Sequence, residues 1–196
     1  TLSSVVPYFD GISPYQQIPF QYSLHVLDKP DGELKQFMYL HKENSNPAKA
    51  LSKSLKANIG TKGTVLTWSE SFEKNCNKSL GKLVPEFASF YEELNERVDD
   101  LMIPFSSNWY VHKDFGGSAS IKKVLPVLVT ELSYKELGIH EGAAAQRLWM
   151  ESVLDGKRDD LKAQILNDLE KYCKLDTLAM VEIYKQLFKF LQAEIL

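Results

Sequence analysis

The stretch EKYCKLDTLAMVEIY, residues 170–184, lies inside a longer pattern of apolar residues at helical spacing. Asp176 stands in the middle of this apolar stripe, and Tyr172 precedes it by one helical turn on the same face. An ionised carboxylate in a protein core is costly unless it is paired or bound to a metal ion. The sequence therefore predicts a specific partner for Asp176. The other residues of the stripe are Ile165, Leu169, Ala179, Ile183, Leu187 and Phe190.

The bulk composition predicts one soluble globular domain over residues 1–196. The chain is 44% hydrophobic and 25% charged, and it contains no internal repeat and no dividing linker. A net charge of −3 excludes a general polyanion binder that relies on a global basic field. An enzyme that acts on nucleic acid stays possible, because bound metal ions and a local basic patch can replace global charge.

The cysteines and the apolar runs give an expectation for location. Cys76 and Cys173 form no Cys-x-x-Cys pair, so we expect reduced, buried residues of a cytoplasmic protein. No apolar run approaches the roughly 20 residues that span a bilayer, and no signal peptide is visible. The first residue is not methionine, so we expect a fragment of a longer polypeptide.

The first hundred residues predict an alternation of strands and helices. Residues 1–19 predict an ordered loop, and residues 20–27 and 33–40 predict an antiparallel hairpin around the turn DKPDG. A helix capped by Asn46, with Pro47 in its first position, should end at Gly60. A buried strand at 64–68 leads into a helix whose one side carries Phe72, Cys76 and Leu80.

The remaining residues predict mostly helices. These cover 85–95, a segment at 120–128 broken by Pro126, an Ala-rich segment at 142–153, and 158–194 with at most one break. Residues 98–103 read either as a short strand or as a helix start, and residues 104–120 read as a loop. This order predicts an α/β fold in which helices flank a mixed sheet with a right-handed crossover.

Glu73 is a second carboxylate with a predicted place in the core. It follows a buried strand and falls in the first turn of the next helix, where open α/β sheets bind their ligands. Taken alone, it could simply complement the helix dipole, and Asp176 alone could be a hydrogen-bonded buried acid. Two acids facing one crevice favour Mg²⁺ or Mn²⁺, although metal-dependent phosphodiester hydrolysis usually needs three or four acids.

Two short motifs and several longer segments carry a resemblance to known proteins. Ser69-x-x-Phe72-Glu73 resembles the second motif of DnaQ-like, ribonuclease H-fold 3′–5′ exonucleases. Tyr172-x-x-x-Asp176 resembles the third motif of their tyrosine-bearing subclass. Segments over nearly the whole chain are similar to a bacterial family called domain of unknown function 2779, which is placed in that superfamily. They are SPYQQIPFQYSLH, SFEK, ERVDDL, SIKKVLP, ELSYKEL and YCKLDTLAMVEIY.

The resemblance implies a role for each matching residue. Asp176 and Glu73 would bind Mg²⁺ or Mn²⁺, and Asp100 is either a further metal ligand or a solvated surface acid. Tyr172 would orient the water molecule that attacks the scissile phosphate. The implied fold is a ribonuclease H-like mixed sheet flanked by helices, and the implied substrate is the 3′ end of DNA or RNA.

One departure from the family pattern decides the expected activity of this chain. The first motif of the superfamily, an Asp-x-Glu on the opening strand, is absent, and Thr1-Leu-Ser-Ser resembles the residues that follow that strand. Asp10 cannot replace it, because it lies in a Pro/Gly-rich loop. We therefore expect the opening strand and two acids to precede residue 1, so that the chain alone binds metal weakly and hydrolyses little or nothing.

Basic and aromatic side chains offer further contacts with nucleic acid. Gly116 and Gly117 precede a helix start with Ser120, Lys122 and Lys123, which could hold a backbone phosphate or form an ordinary capped helix. Trp109, Tyr110 and Phe115 could stack on unpaired bases or anchor their loop. Tyr15, Gln16, Gln17 and Phe20 could line a substrate groove or pack over the sheet. The four histidines lack metal-ligand spacing.

Three functions of different classes remain open from the sequence. The first is a metal-dependent 3′–5′ exonuclease domain within an intact longer protein. The second is a non-catalytic nucleic-acid-binding or regulatory module on the same fold, and the third is a structural domain that supports a neighbouring nuclease or helicase region. The residues upstream of Thr1 would discriminate between them, because an apolar strand with Asp-x-Glu there favours the enzyme.

Overall fold

The N-terminal hairpin forms where strand-forming residues flank a turn. In the computed structural model, which describes residues 1–30 and 32–193, β1 (Gln21–Val26) pairs antiparallel with β2 (Lys35–Leu40). The hairpin prediction is confirmed, with residue 31 of its turn lying outside the described residues. The loop before β1 is ordered by an antiparallel bridge between Leu2 and Ile18.

Helix α1 (Ala48–Asn58) begins and ends at the predicted signals. The side chain of Asn46 accepts a hydrogen bond from the amide of Ala48 at 3.0 Å. Pro47 stands directly before the helix, where its missing N–H has no intrahelical partner to lose. Gly60 follows the helix with a φ of +67°, a left-handed conformation that glycine adopts without strain.

The next segment places two parallel strands side by side through an intervening pair of helices. β3 (Val65–Thr67) leads into α2 (Glu70–Leu83), a short 3₁₀ turn at Pro85–Phe87, α3 (Ala88–Glu96) and β4 (Val98–Asp100). β3 and β4 pair in parallel, and the short helix α4 (Ile103–Ser106) follows β4. Residues 98–103 therefore contain both the strand and the helix start that the sequence left open.

One predicted helix face is wrong at its first residue. Cys76 and Leu80 of α2 are buried, whereas Phe72 is 41% exposed. A spacing of four residues drifts around a helix by about 40° at each step, so Phe72 has left the buried face. Phe190, near the end of the C-terminal stripe, is also exposed, at 44%.

The C-terminal half is helical, with two differences from the prediction. Helix α5 (Ile121–Leu128) continues through Pro126, and the amide of Val129 still bonds to the carbonyl of Leu125 at 2.8 Å. Helix α6 (Gly142–Trp149) runs into a π-helical turn at Met150–Leu154. Helix α7 (Lys162–Ala193) begins after the predicted start at residue 158 and is continuous over 32 residues; residue 194 of the predicted helix lies outside the described residues.

The described residues form a mixed α/β fold around three apolar clusters. Their four strands make two separate pairs, β1 with β2 and β3 with β4, and not the single mixed sheet that was predicted. The first cluster joins the N-terminal loop, α6 and α7, and the second joins α4, α5 and α7. The third cluster packs α1 against α2 and α3. Helix α7 therefore contributes to two of the three clusters.

Candidate functional site

A slot of about 1070 Å³ separates the two strand pairs and lies against helix α7. Four of the predicted site residues line this slot, namely Glu73, Lys122, Tyr172 and Asp176. They come from the first turn of α2, the first turn of α5 and the middle of α7. The structure therefore brings together the two predicted acids and the predicted tyrosine, although they are far apart in the sequence.

Asp176 is held by a tyrosine that the sequence reasoning missed. The hydroxyl of Tyr134 donates a hydrogen bond to Oδ1 of Asp176 at 2.8 Å. Burial raises the pKa of Asp176, while the Tyr134 hydrogen bond, the charge of Lys122 and the hydroxyl of Tyr172 act in the opposite direction. Tyr134 belongs to the segment ELSYKEL, but a separation of 42 residues left no periodic signal that could connect it with Asp176.

Tyr172 stays protonated in this environment. Burial raises its pKa above the ordinary value of 10.0, and the charge of Asp176 raises it further. Its ring centroid lies 6.3 Å from that of Tyr134. The two phenols therefore form a neutral, hydrogen-bond-donating wall next to the carboxylate.

Lys122 is the basic residue of this site. Its ammonium group lies 5.8 Å from the ring centroids of both Tyr134 and Tyr172, within the range of a cation–π contact. It also donates a hydrogen bond to the backbone carbonyl of His140. Lys123 and Ser120 are exposed and do not line the slot, so only one of the three predicted phosphate-binding residues lies beside Asp176.

Glu73 lines the same slot and lies close in space to the amino group of Thr1. Burial raises its pKa, and the positive amino group of Thr1 acts in the opposite direction. The neighbouring thiols are inert, because burial raises the pKa of Cys76 to about 11 and that of Cys173 to about 12. Both cysteines are unpaired; Cys76 is buried as expected, and Cys173 is only partly exposed to solvent.

Asp100 has a different task from the one that the resemblance implies. Its Oδ1 accepts hydrogen bonds from the amides of Ser69 and Met102 at 3.1 and 2.9 Å, and its Oδ2 accepts one from Glu70 at 3.0 Å. These bonds fix the start of α2 and explain the carboxylate without a metal ion. Asp100 does not line the slot, so we leave it out of the candidate site.

The aromatic candidates divide into anchors and one exposed ring. Phe115 is buried, and Tyr110 stacks on Phe190 with their ring centroids 5.9 Å apart, so both anchor their loop. Trp109 is 75% exposed. Phe20 is buried and stacks on Trp149 at 4.4 Å, which agrees with packing over the sheet and not with a groove lining.

The donor set present in the described residues does not complete a metal site. No group of three or more His, Cys, Asp or Glu side chains in residues 1–30 and 32–193 could hold a metal ion. Two carboxylates in one slot fit part of a Mg²⁺ or Mn²⁺ site, whereas the hydrogen bond from Tyr134 already gives Asp176 a partner within the protein. Further acids are needed before the slot fits such an ion.

Comparison with known proteins assigns a family but no activity. The family model described as "Domain of unknown function (DUF2779)" matches residues 1–120. The chain belongs to the DUF2779 family. No solved structure matches the DUF2779 chain, so the superfamily placement has no structural counterpart. Within the described residues, no helix is long and apolar enough to cross a membrane.

Three curated proteins of mycoplasmas and a ureaplasma are similar to the DUF2779 chain. It is 28% identical to uncharacterized protein MG366 of Mycoplasma genitalium and 25% identical to the MG366 homolog of Mycoplasma pneumoniae, over 93% of the chain in both cases. It is 23% identical over 65% of its length to uncharacterized protein UU173 of Ureaplasma parvum. The chain spans 30% of the length of the first two relatives and 21% of the third.

Proposed function

We propose that, within a longer polypeptide, this DUF2779 domain is a metal-dependent exonuclease of the DnaQ-like superfamily. It would remove nucleotides from the 3′ end of DNA or RNA by hydrolysing phosphodiester bonds. The observation that carries the proposal is that Asp176, Glu73 and Tyr172, the residues that match two exonuclease motifs, line one slot. Lys122 in the same slot supports a negatively charged substrate.

The side chains of this domain have separate tasks in the proposed reaction. Tyr172, whose raised pKa keeps its hydroxyl protonated at neutral pH, donates a hydrogen bond that orients the attacking water. Tyr134 holds the Asp176 carboxylate in place through its 2.8 Å hydrogen bond. Lys122 attracts the phosphate backbone. The acids that complete a Mg²⁺ or Mn²⁺ site are expected upstream of Thr1, so no step through a metal ion is assigned to the residues of this chain.

The test is an exonuclease assay of the longer polypeptide with Mn²⁺ and 3′-labelled DNA and RNA. We expect Asp176→Asn to lower the rate about 100-fold or more, because metal ligands supply several kcal/mol of transition-state stabilisation. Asp160→Asn, an exposed acid outside the slot, is the matched control and should leave the rate unchanged. Equal rates for the wild type and Asp176→Asn would remove Asp176 from the mechanism.

A non-catalytic nucleic-acid-binding or regulatory module is the second candidate function. It is favoured by the surroundings of Asp176, because the hydrogen bond from Tyr134 and the nearby charge of Lys122 stabilise the carboxylate without a metal ion. This candidate predicts that the longer polypeptide retains labelled nucleic acid in a binding assay but releases no nucleotides with either Mg²⁺ or Mn²⁺. Release of single nucleotides from the 3′ end would exclude it.

A further inference from the structure

A second cavity, of about 290 Å³, adjoins the slot at Lys122. Helix α5, residues 133–135 and the two residues before α6 line this cavity, which we call the basic pocket. Lys122 lines both cavities. Tyr134 lines the basic pocket and donates its hydroxyl hydrogen bond to Asp176 in the slot. The basic pocket therefore lies one side chain away from the candidate site.

The charges of the basic pocket leave one positive charge in excess. Lys122 and Lys135 each contribute a positive charge, Glu141 contributes a negative one, and His140 is counted as neutral. One net positive charge matches a group with a single negative charge, such as the phosphodiester of a nucleic-acid strand. It matches the dianion of a phosphate monoester less well, because Glu141 repels the second negative charge.

Lys122 is held in place before any ligand binds. Its ammonium group donates a hydrogen bond to the carbonyl of His140 and lies over the rings of Tyr134 and Tyr172. Nδ1 of His140 in turn donates to the backbone carbonyl of Tyr134 at 2.9 Å, which ties two walls of the pocket together. An ammonium whose position is already fixed loses little side-chain entropy on binding, and its other N–H groups can still donate.

Ser133 and Lys135 add donors from a different wall of the pocket. The Ser133 hydroxyl oxygen accepts a hydrogen bond from the amide of Lys135 at 3.1 Å, so the O–H itself can donate to a ligand. The side chain of Lys135 is exposed. The volume of about 290 Å³ lies just below the roughly 300–1,000 Å³ of typical small-molecule sites, which suits one phosphate group with bound water.

We propose that the basic pocket binds one backbone phosphodiester of the nucleic-acid strand whose 3′ end enters the slot. Lys122, Lys135 and the Ser133 hydroxyl donate to its non-bridging oxygens, and Glu141 disfavours groups with two negative charges. Because the pocket lies one side chain from Asp176, the bound phosphodiester is close to the nucleotide that is removed and positions the strand. The substrate class rests on the proposed function, whereas the pocket itself requires binding and not hydrolysis.

This site differs from the helix start that the sequence suggested. Ser120 and Lys123 line neither the slot nor the basic pocket, so Lys122 is the one residue that the two sets share. The segment around Ser133 and Lys135 lies outside the predicted helix start. The exposed neighbour Lys123 is therefore a matched control for Lys135.

Lysine acetylation followed by mass spectrometry tests the proposal on the longer polypeptide. The probe is single-stranded DNA of about ten thymidines without a terminal phosphate, with a chelator present so that no metal-dependent hydrolysis occurs. With DNA at about ten times its Kd, acetylation of Lys135 should slow by about ten-fold, because only the unbound fraction reacts. Acetylation of Lys123 should stay unchanged. Equal protection of Lys123 and Lys135, or no protection of Lys135, would overturn the proposal.

Substitutions test whether the pocket holds a phosphodiester. Lys135→Gln should weaken binding of the same DNA by about five-fold and lower the slope of log Kd against log salt by about 0.7, as expected for one lost phosphate contact. Lys123→Gln should have a much smaller effect on both quantities. Glu141→Gln should increase the affinity for inorganic phosphate relative to that for the DNA. Tighter binding of inorganic phosphate than of the DNA by the wild type would overturn the assignment to a phosphodiester.

The outcomes separate the basic pocket from the proposed reaction. Protection of Lys135 in a polypeptide that releases no nucleotides supports the pocket and contradicts the exonuclease. Release of nucleotides by a polypeptide in which the DNA leaves Lys135 unprotected supports the exonuclease and overturns the pocket.

Discussion

The acids Asp176 and Glu73 give the domain a specific dependence of stability on pH. Burial raises both pKa values, from ordinary values of 3.8 and 4.5. The protonated acids therefore favour the folded state. This stabilisation is complete below the ordinary values and is lost as the pH rises through the raised values.

We predict that replacing both acids by amides removes this loss of stability at higher pH. The free energy of unfolding of Asp176→Asn/Glu73→Gln should rise relative to the wild type as the pH increases upward from about 4. Urea unfolding between pH 4 and pH 8, in the presence of a chelator, measures the difference. The free energy of unfolding of Asp160→Asn should equal that of the wild type at every pH. If the double variant also matched the wild type at every pH, the burial of the Asp176 and Glu73 carboxylates would be refuted.

Ser69 stores backbone strain at the junction of β3 and α2. Its φ of 84° lies in the left-handed region, which costs an L-residue about 1–2 kcal/mol. Glycine avoids this cost but loses about 0.5–1 kcal/mol through the entropy of the unfolded chain. Ser69→Gly should therefore raise the free energy of unfolding by about 0.5–1 kcal/mol, as measured by urea denaturation. Ser69→Ala keeps the strain and should leave stability unchanged.

At the scale of elements, Asp100 connects β4 with the beginning of α2. Asp100→Ala should lower the free energy of unfolding by about 2–3 kcal/mol, because three backbone amides lose a charged acceptor. Asp100→Asn should cost less, because one side-chain oxygen remains to accept. Asp99→Ala is the neighbouring exposed control and should change stability by less than about 0.5 kcal/mol. A wild-type melting curve for Asp100→Ala would show that the carboxylate is free for another role.

The elements that the sequence predicts well are those whose signals are local. The hairpin follows from two strand-forming runs around a turn, and α1 follows from Asn46 and Gly60. The predictions that Phe72 is buried and that Pro126 breaks its helix were wrong. Which side of a helix is buried, and whether its last turn accommodates a proline, both depend on the surrounding packing. The contact between Tyr134 and Asp176 joins distant segments, so no local pattern could reveal it.

At the scale of the whole molecule, strand pairing is the part that sequence patterns specify least. The sequence predicts a mixed sheet, but the order of strands depends on pairs such as Val65 with Val98, whose partners are separated by two helices. The described residues contain two pairs of strands on either side of the slot. Glu73 and Asp176 were predicted to face one crevice, and both line this slot; their chemical roles stay predictions.

The incomplete donor set predicts a measurable property of the isolated chain. Chain 1–196 should bind Mn²⁺ only weakly in a calorimetric titration, because its described residues hold no group of three ligands. The longer polypeptide should bind Mn²⁺ more tightly, and Asp176→Asn should weaken that binding. Tight binding of two Mn²⁺ ions by chain 1–196 would contradict the prediction.

The position of α7 at the end of the described chain has a consequence for synthesis on the ribosome. The buried residues of the α1–α3 cluster all lie between Ala48 and Leu94, whereas the other two clusters need side chains of α7. At about 5–20 residues per second, α7 follows α3 after roughly 5–20 s. A nascent chain halted before Lys162 therefore has the α1–α3 cluster complete, whereas the other two clusters still lack the side chains of α7.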